Sequence, residues 1–431
     1  MLRKSIEVLE LDAARGAEIP VRAHALLART FDDVRLVSKP SGSADLVISW
    51  GAPVEGKASN LVITSTGAVV QISPNQRGEF SAEALGLGQQ TVAACYIAGA
   101  AISLLVPGVN EASEWPLAID LSPFAIRIDP ERDPVNIGVT YLVGAGAIGN
   151  GFVWSLENDN LTGELILLDK DKVSDGNLQR NILNDHSNVG EYKVEVLAKY
   201  LAQTQPRLKT DPRRERTETA FKGAGLRIRR LISAVDSPRA RRHLQEACPR
   251  EVFDASTSGI QEVIFHHNSY PLEFACLVCV YPFTRDEQAH EKHVADVLGV
   301  PLEALAEGTV SEQRAELIIK KYPDLTLEQV VGEAYDSLFK RLCGAGKVPV
   351  AKGQRVLAPL AFVSVLAGVM LAVEFQRRLA GNGQTYFNFW RLSPWSPPRT
   401  SLRRQLPKNI DCTFCSDQFF RDFMRKAWDE G

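Results

Sequence analysis

The sequence is most informative first in what it lacks. It has no excess charge of one sign: 49 Lys and Arg against 52 Asp and Glu leave a formal charge of −3 over 431 residues. That balance gives no electrostatic footprint for nucleic acid, and the basic runs Arg213 to Arg216 and Arg227 to Arg230 read as solvated faces. No apolar leader is expected. The start, Met1-Leu-Arg-Lys-Ser-Ile-Glu-Val-Leu-Glu10, puts charges where a secretion signal needs an unbroken apolar region, which points to the cytoplasm. Long uncharged runs are scarce too. Val356 to Val373 is eighteen residues without a charge, at the lower edge of a spanning length. Pro359 and Ser364 interrupt it, Glu374 ends it and no second span follows, so a buried helix is expected and no membrane partner. Seven cysteines in a reducing compartment point away from a disulfide framework and toward zinc or solitary core thiols.

What is present is an ordinary globular composition, 45% apolar and 23% charged, long enough for two or three units. Residues 1–130 carry strand-like runs at Ala44 to Ser49, Leu61 to Thr64 and Ala68 to Ile72, with a hairpin turn at Ser65-Thr66-Gly67. A small-residue helix follows, Thr91 to Leu105, similar in composition to Ala361 to Val373. The pair is either a faint internal repeat or, more simply, two helices built for close packing. After Pro130 to Pro134, short apolar runs alternate with helices: strands at Ile137 to Val143, Glu164 to Leu168, Leu231 to Val235 and Glu251 to Phe253, helices at Ala147 to Leu156 and Lys193 to Thr204. That alternation predicts a parallel sheet covered on both faces. Residues 281–307 are polar and weakly periodic and read as an extended crossing loop. A helical insertion, 310–344, begins its second helix at the capping box Thr326-Leu-Glu-Gln329 and ends at Gly344.

Gly144-Ala-Gly-Ala-Ile-Gly149 sits where a strand becomes a helix, so backbone amides and the positive helix end can face phosphates. Asp169 lies twenty residues beyond Gly149 at the end of the next strand, where a carboxylate can hold ribose hydroxyls. A nicotinamide-dependent oxidoreductase fits this much equally well. The segment Asp169-Lys-Asp171 followed by Asn177-Leu-Gln-Arg180 separates the two, because hydride transfer has no need of a second acid, an Asn and an Arg there. Adenylation does, since attack of a carboxylate on the α-phosphate of ATP expels pyrophosphate and three phosphates must be neutralised. Arg180 and Lys193 are the candidate donors. Asp236, closing the strand Leu231 to Val235, either holds Mg²⁺ or caps the helix that starts at Ser237-Pro238, and it can do both.

These motifs resemble the adenylating domain shared by ubiquitin-activating enzymes and the thiamine- and molybdopterin-biosynthesis adenylyltransferases, over about residues 135–280 and again over 355–420. The resemblance implies an α/β chain: a Rossmann-like parallel-sheet adenylation domain with a zinc knuckle, 135–431, after a smaller N-terminal α/β unit. It implies that Gly144, Gly146 and Gly149 form the phosphate loop, Asp169 binds ribose, Asp171, Asn177 and Arg180 serve ATP, Lys193 contacts phosphate and Asp236 binds Mg²⁺. The substrate implied is a small ubiquitin-like or sulfur-carrier protein, with a conjugating enzyme downstream and a homodimer as the assembly. The first unit, which has no glycine loop and no acidic strand end, corresponds to the inactive half of some relatives. By analogy with bacterial relatives, the setting is an antiviral ubiquitin-like conjugation system. The γ-phosphate arginine that many relatives supply has only Arg127 and Arg132 as nearby counterparts. A catalytically inactive scaffold is the further alternative, disfavoured because every ATP-site residue type is present.

Cys276-Leu-Val-Cys279 and Cys412-Thr-Phe-Cys415 are two knuckles whose four thiolates suit a closed tetrahedral zinc site; four unrelated core cysteines is the competing reading. Ubiquitin-activating relatives place a catalytic cysteine soon after the first knuckle, and Tyr281 to Gln288 contains none. Of Cys95, Cys248 and Cys343, the last ends a predicted helix, where the negative dipole end disfavours a thiolate. The enzyme then stops at the acyl-adenylate, transfers to a hydroxyl such as Thr284 or one in Ser256-Thr-Ser258, or brings Cys343 into play; no thioester on Cys343 is the expectation. With Cys343→Ala, conjugation in a reconstituted assay should persist; loss of transfer alongside intact ATP–pyrophosphate exchange would place the thioester on that thiol.

Overall fold

The computed structural model describes residues 2–11, 18–56, 59–81, 85–110, 114–126, 134–156, 160–215, 220–221, 227–307, 310–331, 333, 335, 338–339, 342, 360–380 and 387–429. Two sheets result, both mainly parallel. The first contains β1 (Leu2–Leu9), β2 (Phe31–Val37), β3 (Leu46–Trp50), β4 (Asn60–Thr66), β5 (Val69–Ser73) and β6 (Leu117–Asp120) in the order β2-β1-β3-β4-β5-β6. Four strands are parallel, and β5 and β6 are added antiparallel at one edge. The expected hairpin is the β4–β5 turn, with Thr66 opposite Val69. Helices α1 (Glu18–Leu27) and α2 (Leu87–Leu105) pack on this sheet. α2 is long and apolar enough to cross a membrane by composition, but most of it is buried inside the protein.

The remainder runs β7 (Val135–Val143), α3 (Ala147–Trp154), β8 (Leu161–Leu168), α4 (Asp175–Leu178), α5 (Lys193–Thr204), β9 (Leu208–Arg213), β10 (Arg230–Ser233), α6 (Pro238–Glu246), β11 (Glu251–Ser258), β12 (Glu262–Ser269) and α7 (Leu277–Val280). A separate compact unit, Tyr281–Leu357, holds α8 (Arg285–Leu298), α9 (Glu312–Lys321) and α10 (Leu327–Val330) around Val294, Leu298, Ile318 and Leu338. The chain resumes with α11 (Ala361–Leu379), β13 (Phe389–Leu392), β14 (Arg403–Arg404) and α12 (Gln418–Trp428). Its sheet is β14-β13-β12-β11-β10-β7-β8-β9, parallel from β9 to β11 and antiparallel beyond.

The two sheets share one connectivity. If β7, β8, β10, β11, β12 and β13 are matched in chain order to β1 through β6, the spatial order is the same, with β9 and β14 as additions at the edges. α2 joins β5 to β6 as α11 leads into β13. These two helices, whose compositions match, pack on one another: Gly88 faces Val373 and Gly99 faces Phe362. α11 also crosses α3 so closely that a Cβ on Gly368 would run into the backbone of Gly151 and Phe152, and one on Gly151 would lie 2.8 Å from Cα of Val365. Edge-to-face contacts of Phe375 with Phe152 and Phe253, ring centres 5.9 and 5.4 Å apart, fill the space beside the crossing. Each such buried ring contributes about 1.5–3 kcal/mol from removal from water alone.

The extended loop expected over 281–307 is instead largely helical. Thr284 caps α8, its hydroxyl oxygen accepting the Glu287 N–H at 3.1 Å, and Gly299 closes it in the left-handed region at φ 73°. The apolar residues Val294, Ala295 and Leu298 lie on one buried face, a periodicity hidden among charged neighbours. β1 escaped sequence reading because Glu7 sits between Ile6 and Val8 yet is itself buried, its carboxylate accepting the Ser41 N–H at 3.0 Å. Gly344 lies outside the described residues. Gly368→Ala should destabilise the chain by about 1–3 kcal/mol, the usual cost of overpacking, read as a lower urea midpoint.

Candidate functional site

The site forms at the carboxyl ends of the central parallel strands. After β7 the chain moves to β8 on one side, and β10 lies on the other, so the crevice between β7 and β10 is the switch point where such sheets take ligands. The turn leaving β7 is held by Gly144 N–H to Leu168 O at 2.9 Å and by Ala234 N–H to Val143 O at 2.8 Å. Gly144 has φ 99°, a Cβ there would lie 2.6 Å from the Ala234 carbonyl, and Gly149 packs directly on the Gly144 carbonyl. No side chain fits either position, which brings the loop backbone to the surface of the crevice. Gly146 is the N-cap of α3.

Asp169 ties this loop to the next segment: one carboxylate oxygen accepts the Ala145 N–H and the other the Asp171 N–H, both at 2.8 Å. Burial pushes its pKa up, against the pull of Lys193. A short bridge between Lys172 and Tyr192, with Lys193 N–H to Asp171 O at 2.9 Å, brings the start of α5 beside the acids. The Lys193 ammonium then donates to Asp171 at 2.9 Å. Burial lowers its pKa, but Asp169 and Asp171 outweigh that, so it is held above the usual lysine value and stays charged. Arg180 adds a second cation. It is partly desolvated, which lowers its pKa, and it feels Asp236 across the crevice. Lys193 in turn feels Arg180 as a repulsive neighbour. An anion placed between the two cations would relieve that repulsion.

Several residues singled out from sequence also have structural partners in this arrangement. Asn177 is engaged locally, its side-chain oxygen accepting the Ser174 N–H at 3.1 Å as part of the capping box of α4. Asp236 is exposed at the mouth of the crevice. It is not the cap of α6: the Ser237 hydroxyl accepts the Ala240 N–H at 3.1 Å instead. Thr284 is the α8 cap already described, and Ser256 is buried. Burial pushes the Cys95 thiol well up and the Cys248 thiol up to about 12, so neither is a ready nucleophile. Arg127, Arg132 and Cys343 lie outside the described residues.

Two residues that sequence reasoning passed over organise the site. Asn150, fully buried, donates to Ala145 O and Gly146 O at 3.0 Å each and accepts the Leu183 N–H at 3.2 Å, so it joins the glycine loop to the segment after Arg180. Arg241, buried on α6, pairs with Asp254 at 2.9 Å and donates to Val235 O at 2.5 Å and Ala255 O at 3.0 Å, which fixes the turn that carries Asp236. An Asn beside the last loop glycine, in an otherwise apolar helix, was the available signal for the first.

The four knuckle sulfurs converge within 4.8 Å of one another. Cys276–Cys279, Cys276–Cys412 and Cys279–Cys415 are 3.8, 3.7 and 3.7 Å apart, the edge length of a tetrahedron with metal–sulfur bonds of about 2.3 Å, and Cys276–Cys415 is shorter at 3.3 Å. Backbone N–H groups of Asn409 and Cys415 point at Cys279 and Cys412 sulfurs, at 3.3 and 3.4 Å, a donor set that favours thiolates. The donors therefore fit a closed four-thiolate metal centre. It joins the end of β12 to the C-terminal segment, beside Phe414, Met424 and Trp428.

The loop, the acidic strand ends and the thiol cluster define an α/β protein with an adenylyltransferase-type fold like that of ubiquitin-activating enzymes. The chain belongs to the ThiF family, whose model matches residues 138–414. A relative from Sinorhizobium fredii (strain NBRC 101917 / NGR234), called uncharacterized protein y4jF, is 26% identical over 455 residues, covering 98% of this chain and 85% of that protein. Among solved structures, E. coli MccB with ATP is similar at 14% identity and TM-score 0.40, over 82% of this chain and 97% of that one. E. coli MccB with succinimide is similar at 14% identity and TM-score 0.39, over 64% of this chain and 66% of that one, just under two thirds of its length. E. coli tRNA N6-threonylcarbamoyladenosine dehydratase, TcdA, is similar at 16% identity and TM-score 0.31, over 57% and 87%.

Elemental analysis of the purified chain should return about one zinc per chain. Cys412→Ser should lower that content and the thermal midpoint together; full retention of both would reject the metal centre.

Proposed function

We propose that the chain uses ATP and Mg²⁺ to convert the C-terminal carboxylate of a small ubiquitin-like or sulfur-carrier protein into an acyl-adenylate. The observation that carries this reading is the convergence of Asp169, Asp171 and Asp236 with Lys193 and Arg180 around one glycine loop. Hydride transfer builds up no phosphate charge, so it does not call for two desolvated cations near a phosphate loop. Adenylation does, since attack on the α-phosphorus forms a carboxyl–phosphate bond while the bond to pyrophosphate breaks. No proton moves in that step, so the site has to position and neutralise rather than supply a base.

In this reading the loop amides and the start of α3 take phosphate oxygens. Asp169 keeps one lone pair on each oxygen for ribose hydroxyls while its other contacts hold the loop. Lys193, steadied by Asp171, and Arg180 balance the charge that builds on pyrophosphate. Asn177 caps α4 through its side-chain oxygen just ahead of Arg180, and its amide nitrogen is the proposed polar contact to ATP. Asp236, fixed by Arg241, is the candidate ligand for Mg²⁺, which would screen the phosphates. The four cysteines would hold a structural zinc, in a cytoplasmic protein whose thiols stay reduced.

The first sheet, which repeats the connectivity of the second without a glycine-rich segment in Leu9 to Ala17, is proposed as an inactive copy of the adenylation fold. α2 and α11 make within one chain the small-residue contact that a homodimer would otherwise make between chains, so a dimer would need another surface. A conjugating enzyme remains the proposed acceptor downstream, in a conjugation system of the antiviral type, with Cys95 and Cys248 too deeply buried to carry the acyl group.

The test is ATP–pyrophosphate exchange with a glycine-ended small protein encoded beside this chain. Exchange should be present, and Lys193→Ala and Asp236→Asn should each reduce it by about 100-fold or more. Binding of NAD without any exchange would reject the reading.

A further inference from the structure

The glycine loop belongs to the second sheet, but the segment that carries Arg180 is held from the first. Arg29, in the turn between α1 and β2, sends its guanidinium across to that segment. One terminal nitrogen donates to Leu178 O at 2.8 Å and Asn184 O at 2.6 Å, and the other donates to Ile182 O at 2.8 Å. Three carbonyls that flank Arg180 on both sides thus converge on one planar fork. Between two of them, the Leu183 N–H is held by Asn150, whose amide also grips Ala145 O and Gly146 O in the glycine loop. A continuous set of hydrogen bonds therefore runs from the first sheet, through the Arg180 segment, to the phosphate loop. A second arginine, on α1, adds a neighbouring contact: Arg22 is buried, stacks at 4.2 Å on Trp154 and donates to the Trp154 carbonyl at 3.3 Å, at the far end of α3.

We propose that Arg29 is a positioning residue for nucleotide activation, holding the Leu178–Asn184 segment so that Arg180 faces the phosphates. The domain without its own glycine loop therefore completes the geometry of the domain that has one. An arginine is required because its rigid fork reaches several carbonyls at once, and a lysine ammonium on a flexible stem does not reproduce that array. Nothing in the arrangement brings Arg29 to the substrate. Its effect is routed through Arg180, and removing it matters only while Arg180 is there to be misplaced.

The kinetic test of this proposal rests on the adenylation reading, and a structural test does not. Arg29→Ala should lower kcat for ATP–pyrophosphate exchange by roughly 10- to 100-fold with a smaller change in KM for ATP, as expected when a group acting in the transition state is displaced. In an Arg180→Ala background the same substitution should have almost no further effect, the mark of two residues acting as one unit. Arg29→Lys, which keeps the charge and most of the bulk and so guards against simple misfolding, should behave like Arg29→Ala. Equal losses in both backgrounds, or full rescue by Lys, would overturn the proposal. Independently of any activity, hydrogen exchange over residues 178–188 should quicken in Arg29→Ala while β7 and β8 stay protected, and unchanged protection there would also overturn it. If the unaltered chain shows no exchange of pyrophosphate, the adenylation reading fails and the hydrogen-exchange result still decides the clamp.

Discussion

The close crossing of α3 and α11 is the constraint on which the rest of the structure depends. Backbone meets backbone at Gly151 and Gly368, with no room for a side chain on either. α3 carries the glycine loop at its first turn, so the crossing fixes where that loop ends up. α11 is buried along nearly its whole length and lies against α2 of the first sheet on another side. Two sheets are thereby joined through three helices, and the small residues that looked like a compositional oddity in α2 and α11 become the reason one chain can hold both.

The charges follow from that frame. Strands β7, β8 and β10 end together, and their carboxyl ends deliver Asp169 and Asp236 to one crevice. The pairing of residues 171–173 with 190–193 brings Lys193 to the same place. Burial works against the charge of both cations: at Lys193 it is outweighed by Asp169 and Asp171, and at Arg180 it is partly offset by Asp236. A site with this balance is poised for a polyanion, because phosphates can replace the carboxylates as partners while the desolvation has already occurred on folding. Arg29 and Arg22 reach inward to the Arg180 segment and to the end of α3, so the first sheet is tied to both elements that flank the glycine loop.

Much of this was legible in the residue pattern, and the gaps have physical causes. The glycine loop, Asp169, the Lys193 helix and the four cysteines are local signals, each tied to a short motif with fixed spacing, and a chain reader sees them directly. α5 begins and ends at the residues its periodicity indicates. What could not be read depends on contacts between distant parts of the chain. Arg29 looks like any arginine after an amphipathic helix until the fold brings Ile182 and Asn184 beside it. Glu7 disguises β1 because a buried carboxylate with a backbone partner resembles an exposed one in sequence. Asn177 has the right spacing for a nucleotide contact, and the fold adds a capping bond through its side-chain oxygen that spacing alone does not reveal. The repeated connectivity of the two sheets was visible only as two helices of like composition, since strand order leaves no mark on sequence.

The central claim, that this site joins a carboxylate to AMP, is tested most directly by mass spectrometry of a glycine-ended partner protein after incubation with the chain, ATP and Mg²⁺. The account predicts a labile adduct equal to AMP on the C-terminal glycine, with pyrophosphate as the released product. Release of ADP and phosphate in its place, or a nucleotide-dependent oxidation of the partner with no adduct, would contradict it.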